Sequence, residues 1–125
     1  MATRIRIKIN GISLEGQLND SPPARAIAER LPVELIMSRW GDEYYGDLGE
    51  ALGEFPGEQK ELMEVGELAY WEPGNALCLF FGPTPASEGD EPRAASPVHP
   101  VGKVEGDWES LKALGAQVQA RVERA

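Results

Sequence analysis

The chain of 125 residues has one cysteine, Cys78, and one histidine, His99, and it is short of cations: 12 Lys and Arg stand against 21 Asp and Glu. A lone cysteine excludes an internal disulfide and fits a reducing compartment. A lone histidine leaves no cluster for zinc, and Asp42, Asp47 and Glu50 do not form the dense oxygen-ligand loop that calcium requires. A formal charge of −9 repels phosphate backbones, so nucleic acid is not an expected partner. No apolar run reaches the length of a membrane span, and the opening Met-Ala-Thr-Arg-Ile-Arg leads into alternation rather than an export segment. The expectation is a cytoplasmic protein. No glycine-rich phosphate loop opens a helix, and Gly49 to Gly57 has neither P-loop nor dinucleotide spacing, so no cofactor is implied.

What is present is turn-rich and globular: 42% hydrophobic and 26% charged residues, with 14 Gly and 10 Pro, in a length that suits one domain over 1–125. Ile5, Ile7 and Ile9 alternate with Arg4, Arg6 and Lys8, Asn10-Gly11 supplies a tight turn, and Ile12, Leu14 and Leu18 follow on a second strand. Asp20 or Ser21 can cap a helix opened by Pro22, with Ala24, Ile27, Ala28 and Leu31 as its apolar face and Pro32 as its stop. Val33, Leu35 and Met37 read as a strand running to Trp40, and Gly41 to Gly53 reads as irregular chain.

Met63 and Val65 begin another strand, and Gly66 to Pro85 crowds aromatics around the turn Pro73-Gly74-Asn75, giving strands over Leu68 to Trp71 and Ala76 to Gly82. Pro83, Pro85, Pro92 and Pro97 make 83–97 a long loop. Val98 to Val104 is extended, Asp107 caps a short helix carrying Trp108, Leu111 and Leu114, and Ala116 to Val122 alternates as the last strand. About eight strands, two short helices and few long crossovers predict an all-β chain closed into a barrel, which leaves no exposed edge.

Leu68-Ala69-Tyr70-Trp71, Leu79-Phe80-Phe81-Gly82 and Val101-Gly102-Lys103-Val104 follow the order of the cyclophilin signature Leu-Ser-Met-Ala, Gln-Phe-Phe-Ile and Phe-Gly-Lys-Val. Trp40-Gly41-Asp42-Glu43 and the whole of Gly66 to Pro85 resemble more closely a small prokaryotic cyclophilin-like family of unassigned function. The resemblance covers nearly the whole chain and implies a compact eight-stranded barrel with two short capping helices. The Phe-His-Arg and Phe-Met-x-Gln segments of the prolyl isomerases are missing, so the donor that eases rotation about the prolyl bond is missing too. Arg39 is the nearest substitute as a catalytic residue.

In the cyclophilin register the second Phe faces a groove, which makes Trp71, Leu79 and Phe81 groove walls and leaves Phe80, Tyr70 and Cys78 to the core. Cys78 in an apolar strand is a protonated, inert thiol. Trp40, Glu43 and Tyr45 set a carboxylate among rings, where its pKa can rise or it can position a ligand. Thr84 belongs to the same expected ligand set. His99 precedes Gly102 by three residues where the cyclophilin groove histidine stands four before. One residue turns a strand's face, so His99 joins the groove only if a bulge restores the register, and is otherwise a surface or loop histidine.

The expected function is binding of a small molecule or an extended, proline-containing peptide in this aromatic groove, by a monomer or homodimer. The first alternative is an atypical prolyl isomerase using Arg39. The second is a partner-binding module that uses the 83–97 loop.

Overall fold

The computed structural model describes residues 2–125. Its strands are β1 (Thr3–Ile9), β2 (Ile12–Leu18), β3 (Val33–Arg39), β4 (Glu43–Asp47), β5 (Lys60–Leu62), β6 (Glu67–Trp71), β7 (Ala76–Phe80), β8 (Arg93–Glu105) and β9 (Gln117–Arg124), with helices α1 (Pro22–Arg30) and α2 (Trp108–Lys112). Isoleucine alternation drives the first hairpin, and Asn10 and Gly11 take the positive φ angles of 47° and 86° that its two-residue turn demands.

Every pairing is antiparallel, in the order β2-β1-β9-β3-β4-β7-β6-β8, and β8 pairs back onto β2 from Glu15↔Glu105 to Leu18↔Gly102. These eight strands close the barrel, and β5 adds to the first half of β8 outside the ring. Among the described residues no helix is long and apolar enough to cross a membrane.

Ser21 caps α1, its hydroxyl accepting from the Ala24 N–H, and Pro22 and Pro23 occupy the first turn where a missing donor is harmless. Ala24, Ile27 and Ala28 pack into the barrel core with Ile5, Ile7, Ile9, Leu14 and Val122. Asp107 caps α2 through the Ser110 N–H, and Leu111 enters the same core.

Three segments depart from the sequence reading. The stretch after Trp40 is not irregular throughout: Glu43–Asp47 is a strand paired to both β3 and β7. It lacks apolar alternation because one face carries Glu43, Tyr45 and Asp47, and the inward face carries only Tyr44 and Gly46. A Cβ at position 46 would stand 2.6 Å from the Ile36 carbonyl oxygen, so glycine lets the two strands approach.

The expected strand at Met63 and Val65 is displaced to Lys60–Leu62; Met63 follows it into a buried cluster, with its N–H bonded to the Pro92 carbonyl, and Val65 is exposed. The proline-rich loop ends sooner than expected, because β8 begins at Arg93 and runs through Pro97 and Pro100. Both tolerate their missing donors beside irregular pairings, where the ladders to β5 and β6 shift register.

Two layers of side chains result. The inner core includes Tyr44, Leu68, Tyr70, Leu77, Leu79 and Phe81. A second cluster on the outer face joins Met63, Ala69, Cys78, Phe80, Ala94 and Val98, with Trp71 packed against it. All five residues of β7 are therefore buried.

Candidate functional site

The outer face of β4, β7, β6 and β8 carries a cavity of about 180 Å³. Strand β4 contributes Glu43 and Tyr45, β7 Cys78, β6 Trp71, β8 Ala94, Ala95, Ser96 and Val98, and the β3–β4 turn Trp40. Cross-strand register sets this face: Tyr45 lies opposite Cys78, Cys78 opposite Ala69, and Trp71 opposite Ala76. Directly paired residues share a face, so Trp71 stands with Ala76, Cys78 and Phe80.

The expectation that Leu79 and Phe81 line a groove with Trp71 is thereby corrected. Both are buried in the barrel interior, where Phe81 stacks on Tyr44 at 5.5 Å. Phe80 and Cys78, expected inside, face outward. Tyr70 is inside as expected.

The turn that presents Trp40 and Glu43 is tightly held. Trp40 N–H donates to the Glu43 carbonyl at 2.9 Å, Asp42 N–H to the Pro83 carbonyl at 2.9 Å, and Phe81 N–H to the Asp42 carbonyl at 2.9 Å. Arg39 is the clamp. Its Nε donates to the Gly41 carbonyl at 2.7 Å, Nη1 to the Lys112 and Leu114 carbonyls at 2.8 Å, and Nη2 to Asp42 Oδ1 at 2.8 Å. The guanidinium also lies over the rings of Phe81 and Tyr44 at 5.3 and 5.6 Å. Arg39 is thus a structural residue that ties the turn to α2, and it does not line the cavity.

Glu43 is 6% exposed, and burial raises its carboxyl to about 7, against which a hydrogen bond from the Cys78 thiol pulls downward. Burial and the adjacent carboxylate push the Cys78 thiol well above its ordinary value, the wrong direction for a nucleophile. The thiol therefore serves as a donor. A carboxyl poised near 7 can accept or donate a hydrogen bond at neutral pH.

Trp71 is fixed as a wall by its Nε1–H donating to Ser96 Oγ at 2.8 Å and by Gly74 packed beneath it. A Cβ on residue 74 would lie 2.4 Å from Cζ3 of that indole. Gly74→Ala is expected to displace the ring, visible as a changed Trp71 indole N–H resonance and tryptophan emission, with overall stability lowered by about 1 kcal/mol. An unchanged Trp71 resonance would show that the ring is not wedged by residue 74.

His99 and Thr84 lie elsewhere. Between Leu68↔Gly102 and Ala69↔Pro100 the β6–β8 ladder slips by one residue, leaving Val101 extra, and this bulge turns His99 inward. His99 is 2% exposed, its Nε2 is 2.7 Å from Glu72 Oε1, and it stacks on Tyr70 with Phe55 edge-on. It is neither a surface histidine nor part of the outer cavity. Glu72 also accepts the Phe55 N–H at 2.8 Å, so the pair fastens the 48–57 segment across one end of the barrel.

Thr84 is buried and donates to the Arg93 carbonyl, while its N–H donates to Ser87 Oγ at 2.9 Å. Glu91 accepts the Glu88 and Gly89 N–H groups at 2.8 Å, which holds its carboxyl down at about 2 and folds the 83–92 loop upon itself.

Trp40, Glu43, Tyr45 and Trp71 are therefore the sequence candidates that the fold brings together. Ala94, Ser96 and Val98 repeat at strand spacing, but Pro92, Pro97 and Pro100 around and within that run make it read as loop in the sequence. Among the described residues no three of His, Cys, Asp and Glu converge to hold a metal ion.

Comparison with curated proteins finds no match. The solution structure of a hypothetical protein, AF2241, from Archaeoglobus fulgidus is similar over 99% of this chain and 95% of its own, with 37% identity and a TM-score of 0.80. The family described as cyclophilin-like matches residues 3–123, from the first residue of β1 to the last but one of β9. With the closed antiparallel barrel and its two short helices in hand, this chain belongs to the cyclophilin-like family.

Proposed function

We propose that this protein binds a small molecule, or a single ring-sized group of an extended peptide such as a prolyl ring, in the outer cavity. The observation that carries this reading is the convergence of Trp40, Tyr45 and Trp71 on one buried carboxyl, Glu43, in a space of about 180 Å³. Apolar walls with one convergent polar group are the usual composition of a ligand site: the walls supply area and the polar group fixes orientation. Binding is favoured over prolyl isomerisation because Arg39 spends its donors on backbone carbonyls and Asp42.

Titration of the 15N-labelled chain with N-acetylprolinamide and a panel of small heterocycles tests this. Shifts are expected at the Trp40 and Trp71 indoles and at Tyr45, Ala94 and Ala95, with Trp71→Ala weakening binding tenfold or more. Shifts confined instead to Gly53, Tyr70 and Asn75, around the cavity at the barrel end, would move the site there and overturn the proposal.

A further inference from the structure

We infer that the ligand of the outer cavity carries a compact alkylated ammonium group, seated against the Glu43 carboxylate and between the rings of Trp40, Tyr45 and Trp71. This inference rests on the proposed binding role and specifies its chemistry. Glu43 is the cavity's one charged side chain: β7 offers the Cys78 thiol, β6 Trp71, and β8 Ala94, Ser96 and Val98.

Four partly buried acids of the fold have cationic partners of their own. Asp42 has Arg39, Glu67 has Lys60, Glu91 has Arg93, and Glu123 has Arg6, Lys8 and Arg121. Among the described residues Glu43 has none, and its one partner is the thiol of Cys78. Burying a carboxylate without a cation is costly, and a cation arriving from solution removes that cost.

The walls select the same charge. Aromatic faces attract cations, and a carboxylate within a set of aromatic rings is the chemistry by which proteins hold quaternary and methylated ammonium groups. An anion would meet both Glu43 and a chain of formal charge −9, whereas that charge draws cations in. A wholly apolar ligand would leave the carboxyl with the Cys78 thiol as its one partner. A primary ammonium needs acceptors for three N–H groups, whereas the lining is mainly aromatic rings and the apolar side chains of Ala94 and Val98, so alkyl groups against the rings suit the cavity better.

Proton linkage supplies an independent signature. A cation favours the ionised carboxyl, so binding displaces the proton that burial retains up to about pH 7. The other titratable groups facing Glu43 are Cys78 on β7, which stays protonated, and Tyr45 on its own strand. Apparent affinity scales with the ionised fraction and should rise about tenfold from pH 6 to pH 8.

The test titrates the full chain with choline and with its neutral isostere 3,3-dimethyl-1-butanol, following the Trp40 and Trp71 indole N–H signals. Choline is expected to bind at least tenfold more tightly than the alcohol, with affinity rising toward pH 8, and Glu43→Gln is expected to lower its affinity tenfold or more. The pH series on the unmodified protein stands even if the variant folds poorly. Equal affinity for both compounds with no pH dependence would overturn the cation inference while leaving the cavity as a binding site. Silence of both indoles toward either compound and toward the prolyl and heterocyclic probes would overturn both readings.

Discussion

Glu43→Gln is expected to flatten the dependence of folding stability on pH between about 4.5 and 7. In the native state burial holds this carboxyl at about 7, against an ordinary 4.5 in the unfolded chain. The native protein therefore keeps its proton more tightly than the unfolded chain does. The resulting stability is fully present below about pH 4.5 and is lost as pH rises through 7.

Over that window the loss amounts to about 3 kcal/mol, at 1.36 kcal/mol per pH unit of displacement. The variant has no carboxyl to titrate, so its stability relative to the native chain should improve by about 3 kcal/mol between pH 4 and pH 8. Carboxyls held low by hydrogen bonds, among them Glu72, Glu91 and Asp107, act in the opposite sense and lose their contribution on acidification. Both chains share them, so they cancel in the difference. Urea titrations of both proteins across that range provide the measurement. A pH-independent difference would mean that Glu43 ionises as an ordinary exposed carboxyl.

Arg39→Ala should be the most damaging single change near the site, costing about 3 kcal/mol and roughly 10 °C in melting temperature. The substitution leaves the Gly41, Lys112 and Leu114 carbonyls without their donor and Asp42 without its cation, and it uncovers the rings of Tyr44 and Phe81. Lysine restores a charge but cannot direct planar donors to four acceptors at once, so Arg39→Lys should recover less than half of the loss. Calorimetry of the three proteins decides the matter. If Arg39→Ala melted with the parent and instead abolished a prolyl isomerase activity, Arg39 would be catalytic rather than structural.

Local chemistry made much of the barrel legible in the chain. The isoleucine alternation with Asn10-Gly11, the Ser21-Pro22 helix start, the Asp107 cap and the period-two closing strand each need only near neighbours to take their form. Strand β4 was hidden because its inward face is Tyr44 and Gly46, a pair with no hydrophobic period, and its place comes from pairing with β3 and β7. The early start of β8 was hidden because Pro97 and Pro100 read as loop until bulged pairings accommodate them.

At the candidate site Trp40, Glu43 and Tyr45 were legible because a carboxylate among aromatics is conspicuous without a structure, while Trp71 came from the cyclophilin resemblance, which named Leu79 and Phe81 beside it. Alternation also told which residues of β6 and β7 share a face with one another along each strand. Only the tertiary structure decided which of those faces turns inward. Strand β7 is apolar on both sides, so hydrophobicity cannot choose between them. The choice is made by the register that sets Trp71 opposite Ala76, and by the β5–β8 layer that buries the outer face as well. The same limit applied to His99: a one-residue bulge, undetectable from neighbouring letters, moved it from the surface to the barrel interior. A strand's period is a property of its own backbone, but its phase relative to the core depends on the strands that pair with it.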